Sequence, residues 1–211
     1  MRHEPSYTSG VLAEPKLGLG VSWTCHPGSY CDCLPIWNES RNVCLIFVGE
    51  HFSDPSDVER LRTLGHDCPQ ADARALVHLY EEHGDHFFGM LNGYFSGLLL
   101  DLREQKAVLF NDRFGLGRLY YHEDAQGFYF ASEAKSLLGI MPSLRQLDPQ
   151  GLAEWFLGGA VLQNRSLYPG LALMPGGSAF TFRLGLKISR RRYFEPETWE
   201  HDPPLDADQY Y

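Results

Sequence analysis

L-N-G-Y-F-S-G-L-L-L-D at Leu91–Asp101, N-D-R-F-G-L-G-R-L-Y-Y at Asn111–Tyr121 and F-Y-F-A-S-E-A-K-S-L-L-G at Phe128–Gly139 decide how this chain folds. Phe95–Asp101 and Ala107–Asn111 are short apolar runs separated by Arg103-Glu104-Gln105, a gap of hairpin length that joins antiparallel strands. Leu119–His122 and Phe128–Ala131 repeat the arrangement around the turn signals of Asp124–Gly127. Ser132 then reads as a helix N-cap, with Glu133 in the positive first turn of a helix that runs to Leu138.

Upstream, Leu17–Trp23 and Val43–Phe47 read as strands flanking a Cys/Gly/Pro/Asn-rich loop at Pro27–Asn42. Met1–Pro15 reads as irregular, broken by Pro5, Gly10 and Pro15. Asp54–Leu64 suits a short helix. The clearest helix begins near Ala71 and runs towards Gly84, with Leu76, Leu79 and Tyr80 at i, i+3, i+4 spacing. Asp72 stands at its opening, facing the free N–H groups of the first turn. Phe87–Leu91 is a further helical segment. Downstream, Asp148 caps a helix from Pro149 to Leu157, and Ala179–Phe182 pairs with Lys187–Ser189. Strands in runs with grouped helices describe α+β layers of antiparallel sheet, not a doubly wound parallel fold. Residues 1–195 form one domain in this reading. Residues 196–211, with Pro203-Pro204, resemble a linker.

Composition narrows the function classes. At 211 residues and 44% hydrophobic, the chain can bury one good core. A net charge of −9 argues against a nucleic-acid groove, and Arg190-Arg191-Arg192 reads as a solvated strand end. No apolar run approaches a membrane span, and the polar first twenty residues hold no apolar signal region. Reduced thiols and a cytoplasmic location are therefore expected for the five cysteines. Cys25, Cys31 and Cys33 lie beside His26, but no second pair follows at finger spacing, so no metal is expected.

The ordered set of motifs resembles the class II glutamine amidotransferase domain of the asparagine synthetase family. V-G-E at Val48–Glu50, Ala71-Asp72, G-Y-F-S-G-L-L-L-D at Gly93–Asp101 and N-D-R-F-G-L-G-R-L-Y-Y at Asn111–Tyr121 carry it. So do S-E-A-K-S-L-L at Ser132–Leu138, L-Y-P-G at Leu167–Gly170, M-P-G-G at Met174–Gly177 and R-R-Y-F at Arg191–Phe194. The resemblance implies a four-layer α-β-β-α sandwich with two antiparallel sheets, as in N-terminal-nucleophile hydrolases. It also implies glutamine hydrolysis, in which an N-terminal Cys attacks the side-chain amide and its own α-amine acts as base. The ammonia then passes to an ATP-dependent synthetase domain that amidates aspartate.

The carry-over onto this chain is partial. Gly49 matches the glycine whose N–H lines the oxyanion site, Glu50 the following substrate-facing carboxylate, and Asp72 the acid that grips the glutamine α-amine. Asp72 equally reads as an ordinary helix cap. Asp112, Arg113 and Gly115 match a structural turn or ion pair, while Ser132, Glu133 and Lys135 match the helix near the inter-domain face. Val48 replaces the oxyanion Asn, a loss worth about 3–4 kcal/mol of transition-state binding. Leu19–Trp23 lacks the carboxylate-binding Arg. Asn111 and Arg118 replace an Arg and a Pro. Met-Arg-His-Glu-Pro aligns about two dozen residues inside the domain, so no Cys-Gly start is present and no catalytic residue is assigned.

Two readings result. One is an asparagine-synthetase-type amidotransferase domain without its first strand and synthetase half, inactive as this chain. The other is a vestigial module of an ATP-dependent ligase such as a β-lactam synthetase or lasso-peptide cyclase. ATP and Mg belong only to the synthetase domain, whose S-G-G-x-D-S signature these residues lack. The partners implied are L-glutamine, a synthetase domain in cis or trans, and a second copy in a homodimer; nucleic acid and membrane are not among them.

Overall fold

The computed structural model describes residues 4–66 and 72–197. In chain order the elements are β1 (Thr8–Glu14), β2 (Leu19–Cys25), β3 (Ile36–Trp37), β4 (Val43–His51), α1 (Pro55–Thr63), α2 (Arg74–His83) and α3 (Phe87–Met90). They continue with β5 (Gly93–Asp101), β6 (Lys106–Asn111), β7 (Tyr120–Glu123), β8 (Phe128–Ala131), α4 (Ala134–Ile140) and α5 (Pro149–Gly158). β9 (Ala172–Leu173), β10 (Ser178–Phe182) and β11 (Ser189–Arg192) close the series. None of the helices is long and apolar enough to cross a membrane.

Six strands form the central sheet in the order β11-β10-β6-β5-β4-β3, every pair antiparallel. Alternation along each strand sorts its side chains between two faces. Val43, Leu45 and Phe47 of β4 join Phe95, Val108 and Phe110 against the helices, where Leu61, Leu76, Tyr80, Phe87 and Phe88 meet them. The Phe88 and Phe110 rings lie 5.0 Å apart at 57°, a tilted contact typical of packed aromatics. Burying each such ring contributes about 1.5–3 kcal/mol.

Cys44, Ile46, Leu98, Leu100 and Leu109 face the other way, onto a second β layer. Trp23, Leu19 and Val21 of β2 and Tyr121, Phe128 and Phe130 of β7–β8 cover them. Outside that layer, Leu137 and Leu138 of α4 pack on Tyr120, Tyr129 and Ala131. The result is an α-β-β-α sandwich whose second β layer is divided. One part is the β1–β2 hairpin and the other is a three-stranded sheet, β8-β7-β9.

A buckle joins the two sheets' connections. The buried Asn111 accepts the Ser178 N–H at 3.1 Å through Oδ1 and donates from Nδ2 to the Met174 carbonyl at 3.3 Å. Gly177 N–H donates to the Asp112 carbonyl at 2.8 Å, and the Tyr193 hydroxyl donates to the Asn111 carbonyl.

Several expected elements shift. Thr8–Glu14, expected to be irregular, is β1, aligned by its full pairing with β2. β3 lies inside the expected Pro27–Asn42 loop, and β9 was not foreseen. The last strand is Ser189–Arg192, not Lys187–Ser189, because its register is set by β10. Ser132 is not the cap of α4: Glu133 holds that position, with no side-chain hydrogen bond to the first turn. Asp54 and Asp148 do cap, accepting the Ser56 and Gln150 N–H groups at 2.8 and 3.1 Å. Ala71, Cys68 and residues 198–211 of the expected linker lie outside the described residues.

Candidate functional site

β4 leads from the core into the candidate site. Phe47 is fully buried, but the next side chain, Val48, is 44% exposed and lines a cleft of about 620 Å³. Ile46, Ser96 and Leu98 floor the cleft, while Trp23 of β2, Ala131 at the end of β8 and the following Ser132 wall it. It exists because β2 and β8 belong to separate sheets over one continuous floor. Among the described residues the lining offers hydroxyls at Ser22, Thr24, Ser96, Ser132 and Ser136 and the amine of Lys135, but no thiol and no imidazole.

Gly49 follows with φ of +118°, and a Cβ there would lie 2.2 Å from the Tyr94 carbonyl oxygen. No other residue fits without moving β5. Its own carbonyl accepts a hydrogen bond from the Cys31 thiol at 3.1 Å. Glu50 continues the strand opposite Tyr94. Burial first, and then the Glu50 carboxylate, raise the Tyr94 hydroxyl above its ordinary range.

Asp72 lies on the other side of the Tyr30–Cys33 segment. It accepts the Arg74 N–H at 2.9 Å and faces the Arg74 guanidinium at 3.4 Å, but the N-cap position of α2 is Ala73, so Asp72 stands one residue before the cap and not at it. The neighbouring Ala73 N–H donates to the Tyr30 carbonyl at 3.0 Å. Burial pushes the Cys31 thiol up to about 12, with Cys33, Cys25 and Glu50 adding to the rise. Burial and then the Asp72 charge raise Cys33, and burial alone takes Cys44 to about 12. These three thiols stay protonated at neutral pH, and a thiol is a poor nucleophile without its proton removed. Tyr30 rises to about 12 by burial, with Cys31, Asp72 and Cys33 contributing. Gly49, Glu50 and Asp72 thus each neighbour the Tyr30–Cys33 segment, of which Cys31 is the buried residue. Sequence reasoning missed Tyr30 and Cys31, which sit in a loop with no periodic signal.

The remaining motif residues divide between support and surface. Asp112 is fully buried, and its carboxylate accepts N–H groups of Phe114 (3.0 Å), Leu116 (3.1 Å), Gly117 (2.6 Å) and Phe95 (3.3 Å). Its role is the turn. Arg113 points elsewhere, donating to the Gly89 carbonyl at 3.2 Å and covering the Phe194 ring at 5.4 Å. Gly115 adopts φ of +69° against Gly176. Glu133 and Lys135 form an exposed pair at 2.9 Å, and Ser132 and Lys135 border the cleft.

Comparison with known proteins agrees with this geometry. A family model described as a glutamine amidotransferase domain matches residues 29–194. Asparagine synthetase [glutamine-hydrolyzing] 2 of Arabidopsis thaliana is 35% identical over 135 residues, which is 58% of this chain and 22% of that protein. Asparagine synthetase [glutamine-hydrolyzing] 2 of Bacillus subtilis (strain 168) is 31% identical over 134 residues, covering 62% of this chain and 17% of that protein. The chain therefore spans about a fifth of the length of these curated relatives. In fold, glutamine phosphoribosylpyrophosphate amidotransferase from B. subtilis superposes with a TM-score of 0.53 at 14% identity, covering 82% of this chain and 34% of that one. With most of its length matched, this chain belongs to the glutamine amidotransferase domain family.

Proposed function

We propose that this chain is the glutamine-recognising module of an asparagine-synthetase-type ligase, and that in isolation it does not hydrolyse glutamine. Gly49, Glu50 and Asp72 form the substrate side, the two carboxylates meeting the ammonium end of the amino acid. The observation that carries the silence is the state of the thiols. Cys31, nearest Gly49, is buried, hydrogen-bonded to a carbonyl and raised to about 12. Attack on an amide needs a thiolate or an adjacent base, and neither Cys31 nor Cys33 has one. Ammonia use, ATP and Mg belong in this reading to a synthetase domain, in cis or in trans, and no residue of this chain is assigned to them. The setting is cytoplasmic in the same reading, and a homodimer is compatible with it.

A second reading, a vestigial scaffold, is favoured by Val48, whose isopropyl group lines the cleft where the family places an amide donor. Two measurements on the purified chain separate these. Enzyme-coupled glutamate detection with millimolar L-glutamine is expected to stay at background; release above background overturns the silent reading. Thermal unfolding with L-glutamine is expected to show a raised midpoint that Asp72→Asn abolishes. No shift in the unmodified chain would leave the scaffold reading standing instead.

A further inference from the structure

Away from the cleft, two imidazoles and a carboxylate from three separate elements converge. The Glu39 carboxylate places Oε1 3.0 Å from Nδ1 of His66 and Oε2 3.7 Å from Nδ1 of His78. The ligand atoms of all three residues lie within 4.8 Å of one another. We propose that Glu39, His66 and His78 form a binding site for a late first-row divalent cation of the zinc class. This inference is independent of the amidotransferase reading.

Each ligand is held by its own local structure. Glu39 sits in the β3–β4 turn, which the buried Asn38 organises. Its Oδ1 accepts the Asn42 and Val43 N–H groups, both at 3.0 Å. His66 stands just past α1, where Gly65 N–H bonds to the Arg62 carbonyl at 2.9 Å and His66 N–H to the Leu61 carbonyl at 3.1 Å. That paired pattern is a Schellman ending, and it fixes the backbone from which the imidazole projects. His78 is on α2, its side chain 5% exposed.

A fourth group is also in place. Glu81 brings Oε2 to 3.1 Å from the same His78 Nδ1, while its Oε1 accepts from Asn38 Nδ2 at 2.6 Å. Because Glu81 meets the same Nδ1 as Glu39, it stands as a further ligand beside the cation position, and the buried Asn38 amide on its other oxygen is its outer support. Ligands held about 2.0–2.2 Å from a tetrahedral cation stand about 3.3–3.6 Å apart, against 3.0 and 3.7 Å for the two Glu39–imidazole pairs and at most 4.8 Å within the set. The His66 and His78 rings stack at 4.1 Å with 27° between planes, so closure on a cation turns the His66 ring, 26% exposed, about its χ2. Two carboxylates beside two imidazoles present a mixed oxygen and nitrogen donor set, which suits zinc better than calcium or magnesium.

The test uses the purified full chain freed of metal with a chelator. Zinc titrated against a chromophoric competitor is expected to bind one equivalent. Glu39→Gln and His66→Gln should each weaken it by about 100-fold. Both positions are partly exposed, so the variants keep the far-ultraviolet circular dichroism of the unmodified chain; the buried His78 is left untouched for that reason. Cobalt in place of zinc should give visible ligand-field absorption without a near-ultraviolet thiolate charge-transfer band. Equal affinity in either folded variant, a thiolate band, or no stoichiometric binding overturns the proposal.

Discussion

Removing the buried Asp112 carboxylate takes this acceptor from the buried Phe95 N–H and from the part-buried Phe114, Leu116 and Gly117 N–H groups. Each buried, unsatisfied donor carries a desolvation cost, and charge-assisted bonds exceed neutral ones. Asp112→Ala should therefore lower unfolding stability by about 3–4 kcal/mol in urea titrations. A change below about 1 kcal/mol would show that the loop rearranges and does not need the carboxylate. Sequence pattern marked Asp112 as structural, but it offered Arg113 as a partner for an ion pair. The guanidinium instead covers Phe194, a contact 81 residues away that no local spacing encodes. Asn111 shows the same limit. As a motif mismatch it looked like lost function, while in space it fastens Met174 and Ser178. Residue type was legible; its partner was not.

At the scale of elements, the β5–β6 hairpin ends in a charged knot. The buried Asp101 carboxylate accepts from the Tyr80 hydroxyl at 3.0 Å and from Arg103 Nε at 3.0 Å and a terminal NH2 at 2.7 Å. Burial alone would raise this carboxyl. The Arg103 guanidinium, the Glu104 N–H and the Tyr80 hydroxyl outweigh it and hold the group below the ordinary carboxylate range. A carboxyl more acidic in the folded state than in the unfolded chain stabilises fully above the unfolded value, about pH 3.9, and that stability is lost as pH falls through the folded value. Stability measured from about pH 5 downward should then fall more steeply in the unmodified chain than in Asp101→Asn. Parallel curves would remove Asp101 from the acid response. The hairpin itself was plain in the sequence, since Phe95–Asp101 and Ala107–Asn111 are short apolar runs on either side of a short polar gap. β1 was not. Thr8–Glu14 carries Gly10 and little apolar pattern, and its strand character comes from pairing with β2, where the Trp23 indole lies over Gly10 at a distance that excludes a Cβ. Pairing imposed from outside the segment leaves no periodic trace within it.

Across the whole molecule, the divided second layer leaves an apolar floor open to solvent. The cleft between β2 and α4 is large enough for a naphthalene-sulfonate dye, so the native chain should bind one with its near-ultraviolet circular dichroism intact, unlike a molten globule. Gly139 borders this cleft inside α4, and a Cβ there meets nothing within 4 Å. Gly139→Leu should raise stability by about 1 kcal/mol through helix propensity and reduce dye fluorescence by covering the floor. Unchanged fluorescence would locate the dye elsewhere. The sandwich class was readable from the order of strands and helices. The division of its second layer was not, because whether two strands are neighbours is decided by floor geometry and not by either strand's sequence.

The buckle at Asn111 has an evolutionary and kinetic consequence. β3–β4 and β5–β6 are each joined by short loops, whereas β5 reaches β4 only after the α1–α3 excursion between His51 and Gly93. β10 joins β6 only after an excursion from Asp112 to Gly177 that contains β7, β8, β9, α4 and α5. Because that excursion leaves and returns between adjacent strands, its length enters the closure entropy only logarithmically. Insertions and deletions within it tax the central sheet little. The layer built from that excursion can thereby change in length at little cost to the pairing of β6 with β10.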